Sequence, residues 1–156
     1  MQKPKSLREW LLASVREIKA NPEKLQLFID RGNLAARLTN YDHNLCFEYR
    51  YDLNLIVTDF AVAADNLMVP LLAWVKHNQT DIEEDAIAFE ADILDHQRID
   101  LSITLPLTER VIVTQGEDGN YTTDHPGEPV PEWNLPEPEL FLQLYGNGEL
   151  LTPTDE

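Results

Sequence analysis

Histidine, aspartate and glutamate are the residues of this chain that could hold a metal ion or transfer a proton. The four histidines are far apart, and none has a second ligand four residues away on a helix face (His43, His77, His96 and His125). Asp92, Asp95 and His96 are close in sequence, but the pattern places the aspartates on a strand and its turn, which favours a solvated hairpin tip. The acidic run at 81–85 lacks the glycine and final glutamate of a calcium-binding loop. The sequence therefore predicts no metal site.

Motifs for nucleophilic catalysis and phosphate binding are also missing from the sequence. Cys46 stands at the start of a predicted strand with no histidine or basic helix end evident beside it, which indicates a structural role. The chain has neither a glycine-rich phosphate loop nor a G-x-S-x-G turn. With 28 acidic residues, pairs of carboxylates are unavoidable and indicate nothing. We expect no enzymatic activity and no cofactor.

Charge is the unusual property of the composition. The net charge is −16; residues 1–40 carry eight bases and four acids, a net +4, and residues 41–156 carry four bases and 24 acids, a net −20. Such a chain repels nucleic acid and anionic lipid over most of its surface, so groove binding is not expected. Three uses remain: the basic end of one copy contacts the acidic body of another, an acidic concave surface faces DNA without gripping it, or the charge serves solubility alone.

The chain has the size and composition of one globular domain. Its 156 residues, 43% of them hydrophobic, suffice for a core without a disulfide or a metal. A single cysteine fits a reducing compartment, and no apolar run is long enough to cross a membrane. These features predict a soluble, cytosolic protein without a membrane partner.

The first elements are a predicted helix at 6–20 and a short strand. Ser6 and Glu9 have the spacing of a capping box, and Asn21-Pro22 would end the helix. Alternation at 25–29 predicts a strand that ends in a turn at Arg31-Gly32. Residues 33–39 would return as its hairpin partner or form a helix.

The strongest strand signal is at 47–55. Its apolar and polar residues alternate strictly, which places all five apolar side chains on one face (Phe47, Tyr49, Tyr51, Leu53 and Leu55). Burial of that face contributes on the order of 10 kcal/mol to folding before opposing terms. The segment is predicted to be a core strand.

Residues 65–78 read as a helix that is apolar nearly all round. Such a helix is buried either in its own domain or by a second subunit. Because full burial is hard to arrange in a small domain, we favour a subunit contact over a sandwiched core helix. The predicted contact residues on this helix are Leu67, Met68, Leu71, Trp74 and Val75.

The remaining elements are a hairpin and a proline-rich arm. Alternation at 87–93 and 99–107 predicts an antiparallel hairpin, with Pro106 at an edge, a bulge or a break. Residues 1–115 would form an α+β core domain, in which an antiparallel or mixed sheet of four to five strands packs against two helices. Residues 116–139 would form an acidic proline-rich linker, and residues 140–156 a strand or hairpin arm with a turn at 146–148.

Several phrases of the sequence resemble the phage tail completion protein R family of peduovirus-type contractile-tailed temperate phages. These sequence segments follow one another between residues 3 and 113 in an order that resembles that of the family (KPKSLREWL, NPEKLQLFIDRGNLAARL, FEYRYDLNLIVTDF, VPLLAWVKHNQ and DLSITLPLTERVIV). The family has no catalytic motif that could be carried over to residues of this chain. The resemblance implies a structural protein of the virion tail, assembled in the host bacterial cytoplasm, that finishes the head-proximal end of the tail.

By analogy, tail terminators of other long-tailed phages are small α+β subunits in a hexameric ring. The implied partners are further copies of the chain, the tail tube and sheath proteins, and a head–tail connector or second completion protein, with DNA passing through unbound. A ring needs two different complementary surfaces on each subunit. Besides the helix at 65–78, the residues predicted to contact partners are Arg8, Arg16, Trp133 and Phe141.

A second class of function also fits the charge. An acidic module can mimic DNA and block a nucleic-acid-binding protein of the host. Such a mimic needs carboxylates in a regular double row, and the alternating strands show no such spacing. The sequence favours the assembly protein over the mimic.

Overall fold

The computed structural model describes residues 1–128, 145–146 and 149–150. The helical elements are α1 (Lys3–Ser14), α2 (Arg16–Ala20), a 3-10 turn (Pro22–Lys24) and α3 (Asp65–Asn78). The strands are β1 (Leu25–Ala36), β2 (Phe47–Phe60), β3 (Ala88–Ile93), β4 (Ile99–Gln115), β5 (Tyr121–Asp124), β6 (Tyr145–Gly146) and β7 (Glu149–Leu150). The predicted α+β class is confirmed.

One antiparallel sheet carries the fold. Its strand order is β1-β2-β4-β3, and β5 pairs with the end of β4. The alternation predicted for residues 47–55 is confirmed, and β2 continues to Phe60. Because side chains of a strand alternate between faces, every second residue of β2 and β4 points toward the helices. The buried residues of those two strands on this face include Leu53, Leu55, Val57, Leu101, Ile103, Leu105 and Leu107.

The segment from Leu25 to Ala36 is one continuous strand, so the predicted turn at Arg31-Gly32 is wrong. β2 is long enough to pair with all of β1, from Leu25 opposite Val57 to Ala36 opposite Phe47. A bulge between Ile29 and Arg31 shifts the register and breaks the period of two that the sequence shows up to Ile29.

The helix predicted at 6–20 is two helices, and the predicted capping box is absent. Val15 is extended and separates α1 from α2. The first helix begins at Lys3, with Pro4 in its first turn, where a missing amide hydrogen does no harm. Ser6 therefore lies inside the helix, and its hydroxyl accepts a hydrogen bond from the Trp74 indole instead.

The predicted hairpin of β3 and β4 and the helix at 65–78 are confirmed. β4 runs through Pro106 without a break. The pairing with β3 ends at Thr104, so the proline lies where β4 has β2 as its partner and needs no second ladder bond. Of the edge, bulge or break predicted at Pro106, β4 therefore shows a local edge.

The C-terminal part is described only in pieces. Within the expected linker, β5 pairs with residues 112–115 of β4. β6 and β7 pair antiparallel, and residues 147–148 of the turn predicted at 146–148 lie outside the described residues. Trp133 and Phe141 lie outside the described residues. In the described part of the chain, no helix combines the length and apolar character needed to span a bilayer.

Candidate assembly surfaces

Helix α3 packs mainly into its own subunit. Leu67, Leu71, Trp74 and Val75 are buried, with Leu71 1% exposed. The Trp74 Nε1 donates to Ser6 Oγ of α1 at 3.1 Å, and a second indole, that of Trp10, donates to the Pro70 carbonyl at 2.9 Å. These four positions therefore belong to the core of one chain, and within this structure they are not available to a second subunit.

The middle of the outer face of α3 is nevertheless apolar, between the exposed charged residues Asp65 and Lys76. Leu72 is 53% exposed and Val69 is 37% exposed, and Met68 beside them is half-buried. An amphipathic helix on a solvated surface normally carries polar residues at such positions. Of the five contact residues predicted on α3, only Met68 is placed where a partner could contact it; Val69 and Leu72, which the prediction did not include, are exposed as well.

The two arginines predicted as contact residues differ from freely solvated side chains. Arg8 is half-buried, and its Nη1 donates to the Leu25 carbonyl at 3.0 Å, which ties α1 to the start of β1. Arg16 is also half-buried. Arg8 thus has a structural role within the subunit.

A buried carboxylate anchors the beginning of α1. Glu109 on β4 is 6% exposed and accepts hydrogen bonds from the Gln2 amide at 2.7 Å and the Lys3 amide at 3.1 Å. The Tyr51 hydroxyl of β2 donates to the same carboxylate. The helix has no acid in its own first turn, so Glu109 provides the negative charge that the helix N-terminus favours.

The sequence contains a signal for this site that was missed. On β4 the residues at 101, 103, 105, 107 and 111 are apolar and point to the core, and Glu109 is in the same phase. An acid in an apolar phase indicates a buried charge that needs partners.

We predict that Tyr51 makes the stability of the fold fall at alkaline pH. Burial, and then its hydrogen bond to Glu109, raise the pKa of Tyr51 far above its ordinary value of about 10. The folded state keeps the phenol neutral while the unfolded chain ionises, so stability is full below pH 10 and is lost as the pH rises above it. The loss is up to about 1.4 kcal/mol per pH unit.

Urea unfolding between pH 8 and pH 11 measures this effect. The Tyr51→Phe variant should lose about 1 kcal/mol at pH 8 but show a shallower decline above pH 10. Tyr121→Phe, which changes an exposed tyrosine, should decline as the wild type does. Parallel curves for Tyr51→Phe and the wild type would contradict the assignment.

Glu128, the last residue described in the body of the subunit, lies beside the start of α1 and the end of α3. Lys3 Nζ lies 3.0 Å from Glu128 Oε1 and 2.8 Å from Gln79 Oε1. Thr80 Oγ1 lies 3.3 Å from the other oxygen of Glu128. Since Gln79 also bonds to Thr108 of β4, these contacts fix the last described residues of the body to the end of the sheet.

The residues singled out for chemistry form no active centre in the described part of the chain. Asp95 accepts bonds from the Gln97 and Arg98 amides and from the Arg98 guanidinium, and the Gln97 amide lowers the pKa of Asp95. This is the hairpin tip that the sequence favoured. Cys46 Sγ accepts a bond from the Val113 amide at 3.3 Å. Among the described residues, no group of three histidine, cysteine or acidic residues could hold a metal.

An ionic cluster fixes the end of β2. Asp59 adopts a positive φ of 52°, and its carbonyl accepts a bond from Lys24 at 2.6 Å while its carboxylate pairs with Arg98 at 3.1 Å. Lys24 also pairs with Glu17 at 2.8 Å, and that hydrogen bond raises the pKa of Lys24. These contacts hold Asp59 in its positive-φ conformation at the end of β2, so we interpret the cluster as structural.

Both outer strands of the sheet carry exposed apolar residues. On β3, Phe89 is 63% exposed and Ile93 is 79% exposed, although both share the face that is buried elsewhere in the sheet. On β1, Phe28 and Leu34 are exposed as well. Exposed apolar groups on free strands mark surfaces that other chains can cover.

Comparisons with known proteins agree on one family. The family described as P2 phage tail completion protein R (GpR) matches residues 1–129. The tail completion protein R of Escherichia phage P2 is 41% identical over 162 aligned positions, which cover the whole of both chains. No solved structure matches the chain. Because these matches cover most or all of its length, the chain belongs to the P2 phage tail completion protein R family, whose members are structural tail proteins and not enzymes.

Proposed function

We propose that this chain completes the head-proximal end of a phage tail by assembling into a ring of six identical subunits. It would act in the host bacterial cytoplasm, once tube and sheath have reached full length, and prepare the tail for joining to the head. The observation that carries the proposal is the full-length relationship to a tail completion protein. The sheet of this chain has two unlike edges, β1 and β3. They support a head-to-tail ring, because such a ring needs two different surfaces on each subunit.

The proposed partners follow from the position of such a ring. The side facing the tail contacts the tube and sheath proteins, and the side facing the head contacts a connector or a second completion protein. DNA passes through without specific binding, because the net charge of −16 opposes contact with phosphates. Part of the acidic surface would line the channel.

The contact proposed for α3 is retained for its outer face. A neighbouring copy of the chain would contact Met68, Val69 and Leu72, because its contact would remove these apolar side chains from water. Arg8 and Arg16, in the basic part of the chain, and Trp133 and Phe141, in the C-terminal part, remain proposed contact residues.

Size-exclusion chromatography with light scattering, over a range of salt and protein concentration, tests the ring. We expect a species of six times the 17.9 kDa subunit mass, and immunolabelling of purified tails should mark the head-proximal end only. A strict monomer at high concentration together with unlabelled tail ends would overturn the proposal. A pull-down from host lysate that recovers a host DNA-binding protein in place of tail proteins would favour the DNA mimic.

A further inference from the structure

We propose that neighbouring copies of this chain join through their sheets, with the free edge of β1 in one copy pairing with the free edge of β3 in the next. The proposed occupant of each edge is a second copy of this chain. The inference rests on the ring proposed above and identifies the surfaces that build it.

The strand order makes the two edges compatible. Within the described residues, β1 pairs only with β2, and β3 pairs only with β4, so each leaves a row of backbone groups without a strand partner. The four strands alternate in direction, and β1 and β3 therefore run opposite ways. A copy displaced along the sheet places its β3 antiparallel to β1, with the same face of the sheet on the same side, and the ladder continues.

Charge complements this pairing. Arg31 on β1 and Glu90 on β3 both lie on the face away from the helices, Arg31 opposite Asp52 and Glu90 opposite Ser102. Residues 25–40, which include β1, contain two bases and one acid, Asp30, whereas residues 81–93, which include β3, contain six acids and no base. Joining β1 to β3 brings Arg31 close to the acidic edge of β3, whereas joining β3 to its own copy brings like charges together.

The helix side of the same edges is apolar. Phe89 and Ile93 on β3 point to this side and are mostly exposed, and Leu34 on β1, opposite Tyr49, points to it as well. A strand that faced water permanently would be expected to carry charged or polar groups at these positions. Cover by a neighbouring copy removes this apolar surface from water.

A charge swap tests the pairing in the full-length chain. In light scattering, Arg31→Glu and Glu90→Lys should each raise the concentration needed for half-assembly roughly ten-fold, because every interface then holds like charges. An equimolar mixture of the two variants should assemble again, since an alternating ring of even order contains no like-charged interface. Native mass spectrometry should find equal numbers of both variants in that ring.

The control has the same change in net charge as Glu90→Lys, at a distant site. Glu117→Lys, in the exposed turn between β4 and β5, should assemble as the wild type does, and circular dichroism should show all variants folded. Single variants that assemble like the wild type, or a mixture that does not recover, would overturn this pairing and leave the ring in place. A wild-type chain that forms no ring in solution or on tails would overturn the proposed function itself.

Discussion

The Leu71→Asp variant is expected to be largely unfolded under conditions in which the wild type is folded. Leu71 lies on α3, is 1% exposed and belongs to the hydrophobic core of the subunit. The substitution therefore removes a core side chain and buries a carboxylate. The combined loss is at least about 4 kcal/mol. Since domains of this kind are stable by roughly 5–15 kcal/mol, the loss consumes much or all of the margin. Circular dichroism and urea unfolding measure it.

The adjacent residue provides the matched control. Leu72 is exposed on the outer face of α3, and Leu72→Asp should change the free energy of unfolding by no more than about 0.5 kcal/mol. If the outer face contacts a neighbouring copy, this variant stays folded and assembles less readily. A folded Leu71→Asp chain that fails to assemble would instead place Leu71 at a subunit contact and contradict the core position.

The Glu109→Gln variant is expected to lose about 2–3 kcal/mol of stability at pH 7. The glutamine amide has nearly the shape of the carboxylate, but its NH2 group must face one of the three groups that now donate hydrogen bonds to Glu109. The substitution also removes the negative charge at the N-terminus of α1. The melting temperature should fall by roughly 5–10 °C. Hydrogen exchange should show weaker protection in the first turns of α1, because that is where the partners lie.

Glu117→Gln, which neutralises an exposed acid, should melt with the wild type and separates the local effect from a change in net charge. A loss below about 0.5 kcal/mol for Glu109→Gln would mean that the buried carboxylate contributes no net stability. In that case the anchoring of α1 would have to be assigned to packing alone.

Periodicity explains the parts of the fold that could be predicted. The strand at 47–55, the hairpin of β3 and β4, and the helix at 65–78 each repeat one pattern without interruption, and apolar burial alone selects the element. The prediction failed where a local irregularity was decided by a distant partner. The bulge beside Ile29 exists because β2 pairs with both halves of β1, and the turn expected at Arg31-Gly32 is therefore absent.

The family and the absence of a catalytic motif were readable from the residues, because they depend on residue types and order. The surfaces were not. An apolar side chain on α3 has the same hydrophobicity whether it lies under α1 or faces outward, so only packing separates buried Leu71 from exposed Leu72. Likewise, Glu109 is one acid among 28 until the fold brings the start of α1 and the Tyr51 hydroxyl to its oxygens. Sequence patterns report the average environment of a segment, whereas the partner of each side chain depends on contacts between residues far apart in the chain.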